Sequence, residues 1–239
     1  MANTHKKLDT ANSLVAGAAI YNRFVLSVYD LVVLSFSNTF VWNCPSRQIL
    51  DFYNEHVSER HLDVGVGTGY FLDKCRFPSS HPTIALADLN PNSLQVTAKR
   101  LRRYNPTTYL ANVMEPLQIE LAQGSRSFHR HCVESSGFDS IALNYLLHCL
   151  PNTVLSKGIV FRNLKPFLTD QGKVFGTTIL GQDVRQNLIA RKLTNLYNSK
   201  GIFGNTNDTV ADLESILKDN FRDYSLRIVG CVALFVGQN

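Results

Sequence analysis

The 239-residue sequence has few cysteines, and they follow no recognisable pattern. The five stand at positions 44, 75, 132, 149 and 231, with no C-x-x-C pair and no histidine at a metal-ligand spacing. Zinc sites and disulfide scaffolds both depend on such spacings. The sequence therefore predicts reduced thiols, no bound metal and a cytoplasmic protein, because free thiols persist in reducing compartments.

Long hydrophobic runs are also missing. The apolar stretch 24–33 contains Asp30 and is too short to span a bilayer. Near the start of the chain, Lys6 and Lys7 precede a short apolar run that Asp9 interrupts, so no secretory signal peptide is expected. The sequence predicts no membrane partner.

Charge is sparse and mixed in sign, with 18% charged residues and a formal net charge of +5. The main basic cluster, 99–103, falls at the end of a predicted helix, where positive charge complements the helix dipole. Nucleic-acid binding calls for a basic stripe with interleaved aromatic residues, and the sequence has none. No nucleic-acid partner is expected. The length and the 44% hydrophobic content suit one α/β domain.

Residues 61–73, HLDVGVGTGYFLD, combine a strand end, alternating glycines and a helix start. Gly65, Gly67 and Gly69 allow the backbone to bend sharply and a ligand to lie against it. The dinucleotide fingerprint G-x-G-x-x-G needs a third glycine where this chain has Tyr70. The pattern therefore predicts a ligand-binding turn that differs from the nicotinamide type.

An acidic residue follows this turn at an informative distance. Asp88 lies nineteen residues after Gly69 and ends a second apolar run, 83–87. A carboxylate at the tip of the neighbouring strand can accept both hydroxyl groups of a ribose. Together, the glycine turn and Asp88 resemble motif I of the class I S-adenosylmethionine-dependent methyltransferases.

This resemblance extends over about residues 45–239. It implies an α/β fold with a seven-stranded, mostly parallel Rossmann-like sheet in the order 3-2-1-4-5-7-6, an antiparallel last hairpin and helices on both faces. It implies S-adenosylmethionine as the cofactor, S-adenosylhomocysteine as the product and no metal. The implied cofactor-binding residues are Asp63, Gly65, Gly67, Gly69, Asp88, Leu89, Asn112, Val113 and Asn144.

The resemblance also suggests individual roles. Asp63 would orient the turn near the amino-acid part of the cofactor, and Asp88 would bind the ribose. Asn112 and the backbone beside it, at Val113, would recognise the adenine ring. The family often has Asp at this position, and an Asn can accept a hydrogen bond there through its amide oxygen. Alternatively, Asn112 forms an Asx turn before Glu115.

The segment 138–151, FDSIALNYLLHCLP, resembles motif IV of the same family. Asn144 and Tyr145 would face the transferred methyl group, with Tyr145 towards the acceptor. Methyltransferases that act on nucleobases carry N-P-P-Y or D-P-P-Y here, and N-Y-L-L instead resembles small-molecule enzymes. His148 is a candidate base that takes a proton from an acceptor hydroxyl. Alternatively, it caps the loop through a backbone carbonyl.

The remaining candidates are aromatic. Residues 1–44 are predicted to form a helical lid and 45–239 the methyltransferase domain. Tyr21 and Tyr29 lie on one face of the predicted N-terminal helix, where they would contact the acceptor or pack on the core. Phe203, in the glycine-containing loop 199–208, would close over the acceptor or belong to a plain surface loop.

The resemblance implies a methyltransferase that acts on a small organic acceptor, of the kind found in secondary-metabolite pathways, as a monomer or homodimer. Two alternatives stay open at the level of sequence. The same scaffold can promote a cyclisation or rearrangement, or it can serve as a non-methylating partner of another enzyme.

Overall fold

The computed structural model describes residues 30–119 and 137–239. Within these ranges, the strands form one seven-stranded sheet in the order β3-β2-β1-β4-β5-β7-β6, as predicted. In chain order the strands are β1 Arg60–Val64, β2 Thr83–Asp88, β3 Thr107–Leu110, β4 Phe138–Asn144, β5 Leu168–Ile179, β6 Asp223–Val229 and β7 Val232–Gln238.

The described helices flank the sheet. The α-helices are α1 Ser46–His56, α2 Tyr70–Lys74, α3 Pro91–Arg100, α4 Val154–Lys157, α5 Ile159–Leu164, α6 Leu188–Ser199 and α7 Val210–Asn220. Three single 3₁₀ turns, Arg102–Tyr104, Leu147–Cys149 and Lys165–Phe167, and a π-helical segment, Asp30–Val41, complete the described helical structure.

Strands β1 to β5 are parallel, whereas β7 runs antiparallel to β5 and to β6. Buried residues fall into two hydrophobic layers, one on each face of the sheet: Val174 packs in one layer and its neighbour Phe175 in the other. The carboxyl ends of β1, β2, β3 and β4 meet at one edge. The loops that follow these strands therefore lie close together.

Short-range signals set several element boundaries. The Asn90 side chain accepts a hydrogen bond from the Asn92 N–H at 2.9 Å and begins α3, while Thr209 accepts from the Asp212 N–H at 3.0 Å and begins α7. The sequences Asn90-Pro91 and Thr209-x-x-Asp212 predict helix starts, and the structure confirms both. The apolar runs 224–229 and 231–236 predict a hairpin that turns at Gly230, and the structure confirms it, with a φ of +58° at this residue.

Three boundaries differ from those that the sequence pattern predicts, which are a turn at 170–172 and helices over 157–168 and 183–198. The predicted turn 170–172 lies inside β5 as a bulge: two steps along β4, Phe138 to Ser140, match five steps along β5, Leu168 to Lys173. The helix predicted over 157–168 begins earlier, at Val154, is interrupted at Gly158 between α4 and α5, and ends at Leu164 before a 3₁₀ turn. A helix predicted from 183 begins only at Leu188, because the Asn187 side chain caps the Ala190 N–H at 2.8 Å.

Part of the predicted N-terminal lid belongs to the packed body of the protein. Trp42 is buried, and its carbonyl accepts the Cys231 N–H at 2.8 Å. Tyr21 and Tyr29 lie outside the described residues, so their predicted roles and the division at residue 44 stay predictions. Within the described ranges, none of the helices combines the length and apolar character needed to cross a bilayer.

Candidate active site

A cavity opens at the carboxyl edge of the sheet, where the loops after β1, β2, β3 and β4 meet. The structure brings together around it all nine residues that the sequence assigned to the cofactor: Asp63, Gly65, Gly67, Gly69, Asp88, Leu89, Asn112, Val113 and Asn144. Tyr145, predicted to face the acceptor, also lines the cavity. Residues from distant parts of the sequence thus form one continuous surface.

The glycine turn between β1 and α2 has its three glycines in the left-handed region, with φ of +72°, +52° and +69°. The Gly65 N–H donates to the Ala87 carbonyl and ties the turn to β2 at 2.8 Å. A Cβ added to Gly67 would meet nothing within 4 Å, whereas one added to Gly69 would lie 2.6 Å from Thr97 Cγ2. Gly67 therefore leaves its backbone open to the cavity, and Gly69 allows α3 to pack closely.

Asp88 ends β2 opposite the glycine turn. Its Oδ1 accepts the Asn90 N–H at 2.8 Å and its Oδ2 accepts the Gly67 N–H at 3.4 Å. Burial raises the pKa of this carboxyl group to about 6, while the backbone N–H groups oppose the rise. Each carboxylate oxygen has a second lone pair, so Asp88 can still accept from two ligand hydroxyls.

Asn112 follows β3 and forms the Asx turn that the sequence left open. Its Oδ1 accepts the Met114 N–H at 3.1 Å and its Nδ2 donates to Glu115 Oε1 at 3.2 Å. The same residue lines the cavity beside Val113. The Asx turn and a contact with a ligand are therefore compatible, since the amide oxygen retains a second lone pair.

Asn144 is the last residue of β4, and Tyr145 begins the turn that follows it. Tyr145 has a φ of +55°, and its hydroxyl donates to Asn38 Oδ1 at 3.0 Å. The Asn144 amide oxygen accepts the Thr177 hydroxyl at 3.2 Å. In the part of the chain that the structure describes, Asn144 Nδ2 is buried and has no hydrogen-bond partner. A buried donor without a partner is costly, so a ligand acceptor would be favourable there.

His148 lies behind the cavity wall and is not among the described residues that line it. The ring is 3% exposed, and its Nδ1 accepts the Ile179 N–H at 3.3 Å. Burial, together with the charge of Lys157, lowers its pKa to about 3. The geometry resembles the loop-capping alternative, although the ring accepts from a backbone N–H and, among the described residues, has no recorded hydrogen bond to a carbonyl.

Phe203 belongs to an aromatic group in the described part of the chain. Its ring centroid lies 4.6 Å from that of His148, 5.0 Å from Tyr197 and 6.2 Å from Trp42. Its neighbour Ile202 lines the cavity. The loop 199–208 therefore reaches the cavity through Ile202, with Phe203 packed behind it.

Sequence reasoning missed Tyr53, which is fully buried and lines the cavity. Its hydroxyl donates to Asp63 Oδ2 at 2.6 Å. The only sequence signal was its place on the buried face of α1 with Ile49 and Phe52, at spacings i, i+3 and i+4. That pattern predicts packing and gives no indication of a contact with Asp63.

Comparison with known proteins places the chain in a family, although no family model matches it. Demethylluteothin O-methyltransferase of Streptomyces thioluteus is 36% identical over 222 residues, 93% of this chain and 90% of the relative. The physcion biosynthesis cluster O-methyltransferase of Aspergillus chevalieri is 33% identical over 220 residues, 92% of this chain and 93% of the relative.

A solved structure supports the same fold. N-methyltransferase NodS from Bradyrhizobium japonicum, in complex with S-adenosyl-L-homocysteine, matches with a TM-score of 0.52 at 13% identity, over 81% of this chain and 84% of that chain. The two sequence relatives match nearly the whole of both chains at more than 30% identity. The chain belongs to the class I S-adenosylmethionine-dependent methyltransferases.

Proposed function

We propose that the protein transfers a methyl group from S-adenosylmethionine to an oxygen atom of a small organic acceptor in secondary-metabolite biosynthesis. The observation that carries this proposal is the convergence of the glycine turn, Asp88 and Asn144 on one cavity. The choice of oxygen is supported by the names of the two relatives, both O-methyltransferases.

The groups around the cavity fit the parts of this cofactor. Gly67 leaves space against its backbone, and Asp88 offers oxygen atoms to two ribose hydroxyls. Leu89 and Val113 supply apolar surface for an adenine ring, and Asn112 supplies an amide. Asp63, 7% exposed at the end of β1, offers a negative charge to an ammonium group.

When bound, S-adenosylmethionine supplies a methyl group on a positively charged sulfur. The residues of this chain bind it, orient it and exclude water. Orientation of two reactants alone can contribute about 7–11 kcal/mol in the best cases. Tyr145, Ile202 and Leu150 lie on the wall nearest to β4 and the loop 199–208, where we assign the acceptor.

We also propose that His148 supports this wall and does not take the acceptor proton. Its Nδ1 already accepts the Ile179 N–H, and a pKa of about 3 makes a weak base at neutral pH. Its ring packs edge-on against Phe203 and Tyr145. In this assignment, His148 keeps the turn after β4 and the loop 199–208 in fixed positions.

Calorimetric titration of the purified protein with S-adenosylmethionine and S-adenosylhomocysteine tests the proposal, followed by incubation with a panel of phenols and cyclic enols. We expect both compounds to bind, and one acceptor to gain the mass of one methyl group as S-adenosylhomocysteine forms. Absence of binding by folded protein would overturn the proposal. Product without S-adenosylhomocysteine would instead favour cyclisation or rearrangement.

A further inference from the structure

A series of buried polar side chains, joined by hydrogen bonds, lies beneath the glycine turn. Ser140 on β4 and His61 on β1 face each other across the parallel strands, with Ser140 Oγ 2.8 Å from His61 Nδ1. His61 Nε2 lies 2.8 Å from the Tyr53 hydroxyl, which lies 2.6 Å from Asp63 Oδ2. His61 and Asp63 are two residues apart on β1 and therefore lie on one face of the sheet.

The direction of each hydrogen bond follows from the groups at the two ends of this series, Ser140 and Asp63. The Ser58 N–H donates to Ser140 Oγ at 2.9 Å, and an ionised Asp63 can only accept. The single proton of the Tyr53 hydroxyl therefore points to Asp63, and its oxygen accepts from His61 Nε2–H. A neutral His61 then accepts at Nδ1 from the Ser140 hydroxyl. In each hydrogen bond of this series, the donor is the group nearer to Ser140 and the acceptor is the group nearer to Asp63.

The Asp63 carboxylate is the acceptor at the end of this series of hydrogen bonds. Burial and the neighbouring Asp63 raise the pKa of the Tyr53 phenol well above its ordinary value, so its proton stays on the phenol. A hydrogen bond of 2.6 Å to a carboxylate is short and charge-assisted. Asp63 itself lines the cavity one residue before the glycine turn begins.

We propose that Tyr53, His61 and Ser140 are positioning residues that orient the Asp63 carboxylate for the ammonium group of the cofactor's amino-acid part. This inference rests on the proposed function, because it needs a ligand with such a group. It differs from a purely structural role of the same side chains in one respect. It predicts an effect confined to ligands that carry the amino-acid part.

Two ligands separate these roles. S-adenosylhomocysteine carries adenine, ribose and the amino-acid part, whereas 5′-methylthioadenosine carries only adenine and ribose. Tyr53→Phe removes the hydroxyl and keeps the ring. We expect calorimetry to show that this variant binds S-adenosylhomocysteine at least about tenfold more weakly than the wild type, because a hydrogen bond to a charged group is lost. Binding of 5′-methylthioadenosine should stay within about twofold of the wild type.

Further variants test the individual hydrogen bonds of the series from Ser140 to Asp63. His61→Leu should reproduce the selective loss, and His61→Gln, which can still donate to Tyr53, should restore part of the affinity. Asp63→Asn should give the same selective loss, and Tyr53→Phe should add little to it, because the two act as one unit. Tyr224→Phe, on β6 at the far edge of the sheet, is the matched control and should change neither affinity.

The outcomes are distinguishable. Equal losses for both ligands, or unchanged affinity for S-adenosylhomocysteine, would overturn the positioning role and leave the proposed function intact. Binding of neither ligand by the wild type would overturn the proposed function itself. Should Tyr53→Phe fail to fold, Ser140→Ala provides the same comparison, because Ser140 lies at the other end of this series of hydrogen bonds. We expect a smaller selective loss for this variant.

Discussion

Burial favours the protonated form of the Asp88 side chain, whereas ligand binding in the proposed function favours the ionised form. Its pKa is raised from 3.8 to about 6 by burial, so the free folded protein binds this proton more tightly than the unfolded chain does. The Asp88 contribution to stability is therefore greatest below about pH 4 and decreases as the pH rises through 6. In the proposed function, ribose binding has the opposite requirement, because the ionised carboxylate is the better acceptor.

The variant Asp88→Asn should separate these two effects. We expect binding of S-adenosylmethionine to weaken by at least about tenfold, since one acceptor becomes a donor. We also expect the variant to lose part of the pH dependence of unfolding between pH 4 and 7. Calorimetric titration and urea unfolding across this range measure both quantities. Wild-type affinity in the variant would contradict the assignment of Asp88 to the ribose.

His148 allows a test between a base and a supporting side chain. The variant His148→Asn places an amide oxygen near the position of Nδ1 and can accept the Ile179 N–H. With the supporting role, we expect turnover within about threefold of the wild type and an unchanged pH–rate profile. Loss of a general base would instead lower turnover by about 10²–10⁴. Steady-state kinetics between pH 6 and 9 distinguish the two results.

At the scale of elements, the glycine turn combines two different constraints. A methyl group at Gly67 would enter open space of the cavity, whereas one at Gly69 would collide with Thr97 on α3. We expect Gly67→Ala to weaken cofactor binding and to reduce stability by about 1–2 kcal/mol through its positive φ. Gly69→Ala should reduce stability further, and adding Thr97→Ser should recover part of that loss. Denaturant unfolding and cofactor titration of the three variants measure this contrast.

The loop 199–208 is attached to α4 by a buried ion pair. Lys157 Nζ donates to Asp208 Oδ2 at 2.7 Å and to the Gly204 carbonyl at 2.9 Å. Both side chains are essentially inaccessible to solvent. Burial lowers the pKa of Lys157 and raises that of Asp208, although the attraction between the two charges opposes both shifts. The pair therefore fixes the part of the loop that follows Ile202, from Gly204 to Asp208.

Removing one partner should be much more harmful than removing both. We expect Lys157→Met to cost about 3–5 kcal/mol, because it leaves the Asp208 charge buried without its partner. The double variant Lys157→Met with Asp208→Leu should recover most of this loss, since it buries no charge. The free energy of unfolding in urea checks the comparison. If the double variant is as unstable as Lys157→Met alone, the loss of stability does not come from an unpaired buried charge, and this explanation is wrong.

At the scale of the molecule, the sheet order followed from the family resemblance, and the residues that line the cavity could be named from the local patterns that carry this resemblance. Strand ends, the glycine turn and Asp88 are read along the chain, and parallel strands bring their carboxyl ends together. The side-chain contacts of Tyr53 and Lys157 were not predictable, because their partners lie 10 and 51 residues away. The burial of His148 likewise depends on packing by Phe203 from a distant loop.

Cofactor binding should stabilise the whole molecule, because the cavity joins the loops after four strands of one sheet. A ligand that binds only the folded state adds about 2.7 kcal/mol at a concentration 100 times its Kd. For a chain of this size that corresponds to a rise in Tm of about 5–11 °C. Differential scanning fluorimetry with S-adenosylhomocysteine measures it, with Asp88→Asn at the same ligand concentration as control. We expect the rise to be larger at pH 8 than at pH 5.5, because with a pKa of about 6 the Asp88 carboxyl is mostly ionised at pH 8 and mostly protonated at pH 5.5. An equal rise at both pH values would show that the Asp88 charge does not contribute to binding.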